Sequence, residues 1–190
     1  MKSLVFILLL AAVATQGFAQ VKYEKESRVK KSDVPANATE YVDLFLFKKK
    51  VKWYNETGLD RTTFEAKTKC QGKIISIEFN ENGELEDVEI IVKPSEVLIE
   101  TKSKIDKYLT NLYGNFSIDK IQIQYLGNKQ KIYSYLQNNG TSADVVINYE
   151  IVISTKLQGS FTMLEYLFSE EGDFIQKQQI VLKRTDNIEF

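Results

Sequence analysis

Alternating hydrophobic and polar positions recur along most of this chain and predict β-strands. The clearest stretch, residues 64–92, contains three such runs separated by turns at Gln71-Gly72 and Asn82-Gly83. A side-chain period of two is typical of a strand with one buried face, and Asn-Gly supplies the positive φ values that a tight hairpin turn needs. We therefore expect three antiparallel strands here.

The same order of strands and turns returns over residues 149–182, with turns at Gln158-Gly159 and at Gly172. The two pairs of turn glycines are offset by 87 and 89 residues. Such an offset predicts two related modules, which we place at 33–93 and 94–186 with Pro94 at the seam.

Each expected module begins with a helix. Asp33 and Pro35 indicate a helix start, and the apolar run that follows predicts a helix to about residue 47. Apolar residues at helical spacing predict a second helix over 94–112, ended by Gly114. The first helix is followed by a strand at 50–55. The expected fold class is α+β: two tandem modules, each a helix packed on a four-stranded antiparallel β-sheet.

Residues 129–141 have no counterpart in the first half of the chain. The alternate tyrosines Tyr133 and Tyr135, closed by Gly140, predict a hairpin insertion in the second module. A protruding loop with aromatic side chains is a common way to contact a partner. Packing of both tyrosines against their own sheet is an equally good interpretation.

The strand at 160–168 is apolar on both faces: Phe161, Met163 and Leu167 lie on one face, and Leu164, Tyr166 and Phe168 lie on the other. Such a strand is either covered on both faces or covered once and exposing an apolar patch.

The N-terminus has the pattern of a secretory signal peptide. Lys2 precedes an apolar run at 4–13, and Ala19 ends a small-residue cleavage site. Residues 1–19 are therefore predicted to be removed, leaving a charged leader at 20–32 and no membrane span. The expected location is periplasmic or secreted.

Composition excludes several classes of function. Loss of Lys2 from the 25 basic residues leaves 24 against 26 acidic ones, interspersed along the chain, so nucleic acid is not expected as a partner. The chain has no histidine, which excludes Ser-His-Asp and Cys-His catalysis and the usual zinc sites. Cys70 is the single cysteine and is interpreted as a small buried residue. We predict no enzyme activity, cofactor or metal.

An acidic cluster near the second turn is interpreted as a solvated hairpin edge, because its spacing matches no calcium-binding loop and alternation splits it between two faces. Its members are Glu81, Glu84, Glu86, Asp87 and Glu89.

Aromatic residues are the main candidates for contact with a partner. Trp53 is expected in the core and its neighbour Tyr54 at the surface, because strand alternation separates them. The full set of partner-binding candidates is Tyr54, Tyr125, Tyr133, Tyr135 and Tyr166.

Four short motifs follow one another: DVPA at 33–36, VKWY at 51–54, FEA at 64–66 and FNENGEL at 79–85. In their order the chain resembles the PepSY-like, β-lactamase-inhibitor-like proteins that Gram-negative bacteria export. The resemblance implies an α+β fold of helix and antiparallel sheet. In the β-lactamase inhibitory protein, a concave sheet is presented to a partner protein.

The expected function is a non-enzymatic binding or inhibitory module that contacts an envelope protein through its sheet surface and hairpin loops. The alternative is a carrier of a small apolar ligand, with a lining of Phe45, Phe47, Phe161 and Tyr166.

Overall fold

A computed structural model describes residues 20–22, 25–58 and 61–181; the predicted signal peptide lies outside these residues. Within them the chain forms three α-helices and ten β-strands. The helices are α1 (Ala36–Asp43), α2 (Ile99–Tyr113) and α3 (Lys129–Leu136). The strands are β1 (Gln20–Lys22), β2 (Lys25–Val29), β3 (Lys52–Thr57), β4 (Thr62–Cys70), β5 (Lys73–Asn80), β6 (Leu85–Ile91), β7 (Ser117–Leu126), β8 (Val146–Leu157), β9 (Ser160–Ser169) and β10 (Phe174–Ile180).

The strands form one continuous sheet in the order β1-β10-β9-β8-β7-β6-β5-β4-β3-β2. Every pair is antiparallel except β1 with β10. The prediction of two tandem modules with separate four-stranded sheets is therefore wrong. Strand β6 pairs directly with β7, with Val88 opposite Tyr125 and Ile91 opposite Gln122, so backbone hydrogen bonds run across the expected seam. Pro94 lies in a single 3-10 turn between the sheet and α2.

The strands predicted from alternation are confirmed, most of them to within two residues. The hairpin turns are also confirmed: Gln71 and Gly72 have φ values of 50° and 83°, and Gln158 and Gly159 have 50° and 84°. Both central residues of each turn are left-handed, as the right-handed twist of the flanking strands requires.

Residues 25–29, expected to belong to a charged leader, form β2 at one edge of the sheet and pair with β3. At the other edge, residues 20–22 pair in parallel with β10.

The predicted hairpin insertion at 129–141 is wrong, because residues 129–136 form α3. The Asn128 side chain caps the helix by accepting a hydrogen bond from the backbone N–H of Gln130. Ile132 is fully buried one turn before Leu136, so the segment has a helical rather than an alternating apolar face. Asn138, with φ of 59°, follows the helix end.

The three helices cover one face of the sheet, here called the helix face. Ala38, Tyr41 and Val42 of α1 pack with Ile132 of α3 in one hydrophobic cluster that includes Trp53. Ile105 and Leu109 of α2 belong to a second cluster on β7–β9. No helix in the described ranges is long and apolar enough to cross a membrane.

The opposite face, here called the polar face, lies on the concave side of a strongly curved sheet. Side chains from β5 and from β10, five strands away, border one cavity. In a flat sheet those strands would be about 24 Å apart. The two edges also approach each other, since only two residues separate β1 from β2 along the chain and can span at most about 11 Å. The sheet is thus rolled around its polar face.

Candidate functional site

The polar face brings together carboxylates from neighbouring strands. Glu78 on β5 lies opposite Asp87 on β6. Glu89, two residues further along β6, lies opposite Gln124 on β7. Opposite residues of an antiparallel pair have Cβ atoms about 4.5–5.5 Å apart. Three acidic side chains are therefore held side by side by the backbone register.

The roll of the sheet encloses a cavity of about 190 Å³ on this face. Its lining combines five acidic residues with one arginine, so it carries a negative charge when the acids are ionised. The lining residues are Arg61, Glu78, Asp87, Glu89, Gln124, Glu150, Glu165, Leu167, Gln176 and Gln178. Such a cavity suits a cation or a hydrogen-bond donor.

Amide side chains hold the carboxylates in place. Gln124 Nε2 donates to Asp87 Oδ2 at 2.8 Å, and Gln124 Oε1 accepts from Asn148 Nδ2 at 3.2 Å. Gln122 Nε2 donates to Glu89 Oε2. Because both amide groups donate hydrogen bonds to carboxylates, the Asp87 and Glu89 side chains have defined positions.

Glu78 has an unusual electrostatic environment. Desolvation, and then repulsion from Asp87 and Glu89, raise the pKa of its carboxyl well above the ordinary value. Weaker repulsion comes from Glu56 and Glu65. A carboxyl group in these surroundings holds its proton to higher pH than a solvent-exposed carboxyl group does, and a cation bound nearby would oppose that effect.

A second acidic group on the same face contains its own cation. Lys67 Nζ lies 2.7 Å from Glu65 Oε2 and 3.1 Å from Glu26 Oε1. Burial alone would lower the pKa of Lys67, but the carboxylates of Glu65, Glu26 and Glu56 outweigh it and raise the pKa. The ammonium also lies 5.2 Å from the centre of the Tyr54 ring.

The β8–β9 hairpin adds an exposed apolar group to the polar face. Phe161 is 80% exposed, and Lys156, directly opposite on β8, places its Nζ 5.0 Å from the ring centre. Met163 and Leu167 follow on the same face of β9 and are half-buried. Of the two interpretations of this strand, coverage on one face with an apolar patch on the other is confirmed.

The structure separates the five tyrosines proposed as partner contacts. Tyr54 is half-buried on the polar face. Tyr166 is fully buried in the second cluster of the helix face, with its hydroxyl bonded to that of Tyr113. Tyr125 is 9% exposed and belongs to the first cluster, and burial raises its pKa to about 12.

Tyr133 and Tyr135 lie on α3 and pack towards the helix face. The Tyr133 ring meets Phe45 edge to face at a centroid distance of 5.0 Å, and its hydroxyl donates to the Leu44 carbonyl at 3.2 Å. Tyr135 lies 5.8 Å from the Tyr125 ring. Of the two interpretations of these tyrosines, packing against the body of the protein is the one observed. Trp53, as predicted, is in the core at 4% exposure.

The lining suggested for an apolar ligand is not assembled in one place. Phe45 and Phe47 stack on each other beside the first cluster, whereas Tyr166 belongs to the second. Phe161 lies on the opposite face of the sheet.

The sequence pattern did not predict that the acids and amides of the polar face lie close together. The sequence pattern predicts a solvated edge for Asp87 and Glu89, but this prediction is wrong, because they are only 8% and 7% exposed. Alternation did place them on one strand face together. The missing information was that the sheet rolls over that face and that Gln122 and Gln124 lie on the adjacent strand.

No protein-family model matches this sequence, and no curated protein sequence matches it. Among solved structures, a DUF2874 family protein from Bacteroides ovatus is similar, with a TM-score of 0.50 and 14% identity over 77% of this chain and 87% of that one. A BLIP-like protein from Bacteroides fragilis has a TM-score of 0.49 and 14% identity over 80% of this chain and 92% of that one. The match to the Bacteroides ovatus protein shows a shared fold.

Proposed function

We propose that this chain is an exported, non-enzymatic binding module that contacts a protein partner of the cell envelope through the polar face and the β8–β9 hairpin. Export to the periplasm or beyond is inferred from the N-terminal pattern of residues 1–19. N-terminal sequencing of the exported protein is expected to begin at Gln20. Recovery of the uncleaved chain from the cytoplasm would contradict export.

The observation that carries the proposal is the composition of the polar face. Carboxylates and amides occupy its centre, and an 80% exposed aromatic side chain, Phe161, lies at its edge. Interfaces commonly combine an aromatic anchor with surrounding polar groups that fix orientation. The concave shape supports contact with a convex segment of a partner.

The absence of histidine supports a non-enzymatic role, since it removes the commonest general base. The single cysteine, Cys70, was predicted to be buried but is half-buried at the β4–β5 turn, and it lies on the other face from the acids. The β-lactamase-inhibitor-like resemblance of the sequence motifs supports inhibition of the bound partner as the finer form of this role.

The experiment compares capture from an envelope extract by the mature chain, by Phe161→Ala and by Ile99→Ala. Ile99 is a matched control because it is 87% exposed but belongs to α2 on the helix side. A partner identified by mass spectrometry and then purified is expected to bind the wild-type chain and Ile99→Ala equally. Its affinity for Phe161→Ala is expected to fall at least about tenfold, the effect of removing an interface hot spot. Equal affinity for all three chains, or loss with Ile99→Ala alone, would overturn the proposed surface.

A further inference from the structure

Three carboxylates on the polar face converge on one point. One oxygen each from Glu78, Asp87 and Glu89 lies within 4.8 Å of the other two. Three atoms no more than 4.8 Å apart always have a point within about 2.8 Å of all of them (4.8/√3), and Ca²⁺ binds oxygen at about 2.3–2.6 Å. A movement of a few tenths of an ångström would bring all three oxygens into coordination distance.

An independent feature beside this triad is the Gln122 amide. Gln122 is 4% exposed, and its Oε1 accepts no hydrogen bond from any described residue. Its Nε2 donates to Glu89, so the oxygen of the same amide lies next to the triad. A flipped amide would place that oxygen against the Glu89 carboxylate, which supports the orientation observed. A buried acceptor without a donor requires an explanation, and a bound cation supplies one.

The neighbouring acidic group shows how this face compensates clustered charge. Glu26, Glu56 and Glu65 also bring three oxygens within 4.8 Å of one another, and there Lys67 supplies the cation. The strongest electrostatic influences on Glu78 are all acidic. Directly opposed like charges such as Glu78 and Asp87 destabilise a sheet, and a cation bound between them would relieve that repulsion.

We propose that Glu78, Asp87 and Glu89, with the amide oxygen of Gln122, form a binding site for a calcium ion in the rolled polar face. The donors are all oxygens and three are carboxylates, which favours a hard cation over zinc or copper. The adjoining cavity of about 190 Å³ can hold the ion and several waters, each needing about 30 Å³, to complete six to eight ligands. The site does not depend on the proposed protein partner.

Calcium binding is tested on the mature chain after treatment with a chelator, by calorimetric titration and by thermal unfolding. The wild-type chain is expected to bind one Ca²⁺ with a Kd of about 0.1–1 mM, the range of extracellular modules. At about 10 mM Ca²⁺ its Tm is expected to rise by roughly 3–10 °C. Mg²⁺ at the same concentration is expected to give a smaller rise, because it demands a tighter octahedron.

Two variants and a control connect the binding to the triad. Glu78→Gln and Asp87→Asn are each expected to weaken Ca²⁺ binding at least about tenfold. Glu150→Gln removes one carboxylate from the same cavity but not from the triad, and its Kd is expected to stay within about threefold of wild type. Without calcium, Glu78→Gln is expected to unfold at or above the wild-type temperature, since it removes repulsion, which separates lost binding from lost folding.

Two results would overturn the site. One is a wild-type chain that shows neither binding heat nor a Tm rise with Ca²⁺. The other is equal weakening in Glu150→Gln and Glu78→Gln, which would indicate diffuse screening by the cavity.

Discussion

Gly83 packs so closely against the start of α1 that a side chain with a Cβ would not fit at this position. The residue has φ of +76°, and a Cβ built on it would lie 2.2 Å from Asn37 Oδ1 and 2.6 Å from Pro35 Cβ. Asn37 also donates to the Asn82 carbonyl at 3.0 Å, so the β5–β6 turn and the start of α1 hold each other. The sequence predicted the turn from Asn82-Gly83 but not this contact, because it joins residues far apart in the chain.

A comparison of Gly83→Ala with Gly72→Ala separates two costs of replacing a turn glycine. One is backbone strain at positive φ, and the other is steric overlap of the new Cβ with α1. Gly72 has a similar φ of +83° and no atom within 4 Å of the built Cβ. Both variants are expected to lose about 1–2 kcal/mol from the left-handed backbone. Gly83→Ala is expected to lose about 1–3 kcal/mol more from overpacking against α1. Urea unfolding monitored by tryptophan fluorescence measures the unfolding free energy of both variants. Equal losses of unfolding free energy would show that α1 can move to accommodate the new Cβ without a cost.

At the scale of elements, α3 is the part of the chain that sequence patterning described least well. Tyr41 of α1 donates its hydroxyl to the Lys129 carbonyl at 2.9 Å, and burial raises the pKa of that phenol. Ile132 of α3 is 0% exposed in the first cluster. The alternate tyrosines suggested a strand, but no neighbouring strand was open to pair with them. The helix instead buries Ile132, and the Asn128 cap was the local signal that favoured it.

Ile132→Ala tests whether α3 is an integral part of the core. The variant is expected to lose about 2–5 kcal/mol of unfolding free energy, because it leaves a cavity at a fully buried position. Ile99→Ala, at an 87% exposed helical position, is the control and is expected to change stability by less than about 0.5 kcal/mol. Chemical denaturation of both variants gives the comparison. A loss below about 1 kcal/mol for Ile132→Ala would mean that α3 lies on the core without contributing to it.

The whole molecule is joined by the β6–β7 pairing, which runs through the middle of the sheet between its two hydrophobic clusters. Ile90 and Ile123, cross-strand partners on these two strands, pack against both clusters. Because the strands are hydrogen-bonded continuously and Ile90 and Ile123 contact both clusters, we expect the two halves of the sheet to unfold together.

The single tryptophan makes this cooperativity measurable. Trp53 lies in the first cluster, whereas Leu109 is fully buried in the second. Leu109→Ala is expected to lower the unfolding free energy reported by Trp53 fluorescence by about 2–5 kcal/mol, although the two residues are in different clusters. Leu112→Ala on the same helix, at a 53% exposed position, is expected to cost less than about 1 kcal/mol. An unchanged Trp53 transition in Leu109→Ala, alongside an earlier loss of tyrosine near-ultraviolet dichroism, would contradict a single unfolding unit.

The amino-acid sequence by itself determined the local features of this protein. Strand alternation, the left-handed turns at Gln71-Gly72 and Gln158-Gly159, and the burial of Trp53 follow from side-chain period and backbone sterics within a few residues.

Only the tertiary structure decided which strands pair across the expected seam and how far the sheet rolls. Backbone hydrogen bonds in a sheet are nearly independent of side chain, so alternation marks the face of Asp87 and Glu89 without naming the strand beside them. The pairing of β6 with β7 makes one sheet, and its curvature turns that polar face inwards. Acids that alternation alone assigns to solvent thereby become a buried cluster, because neighbouring strands bring their charges together.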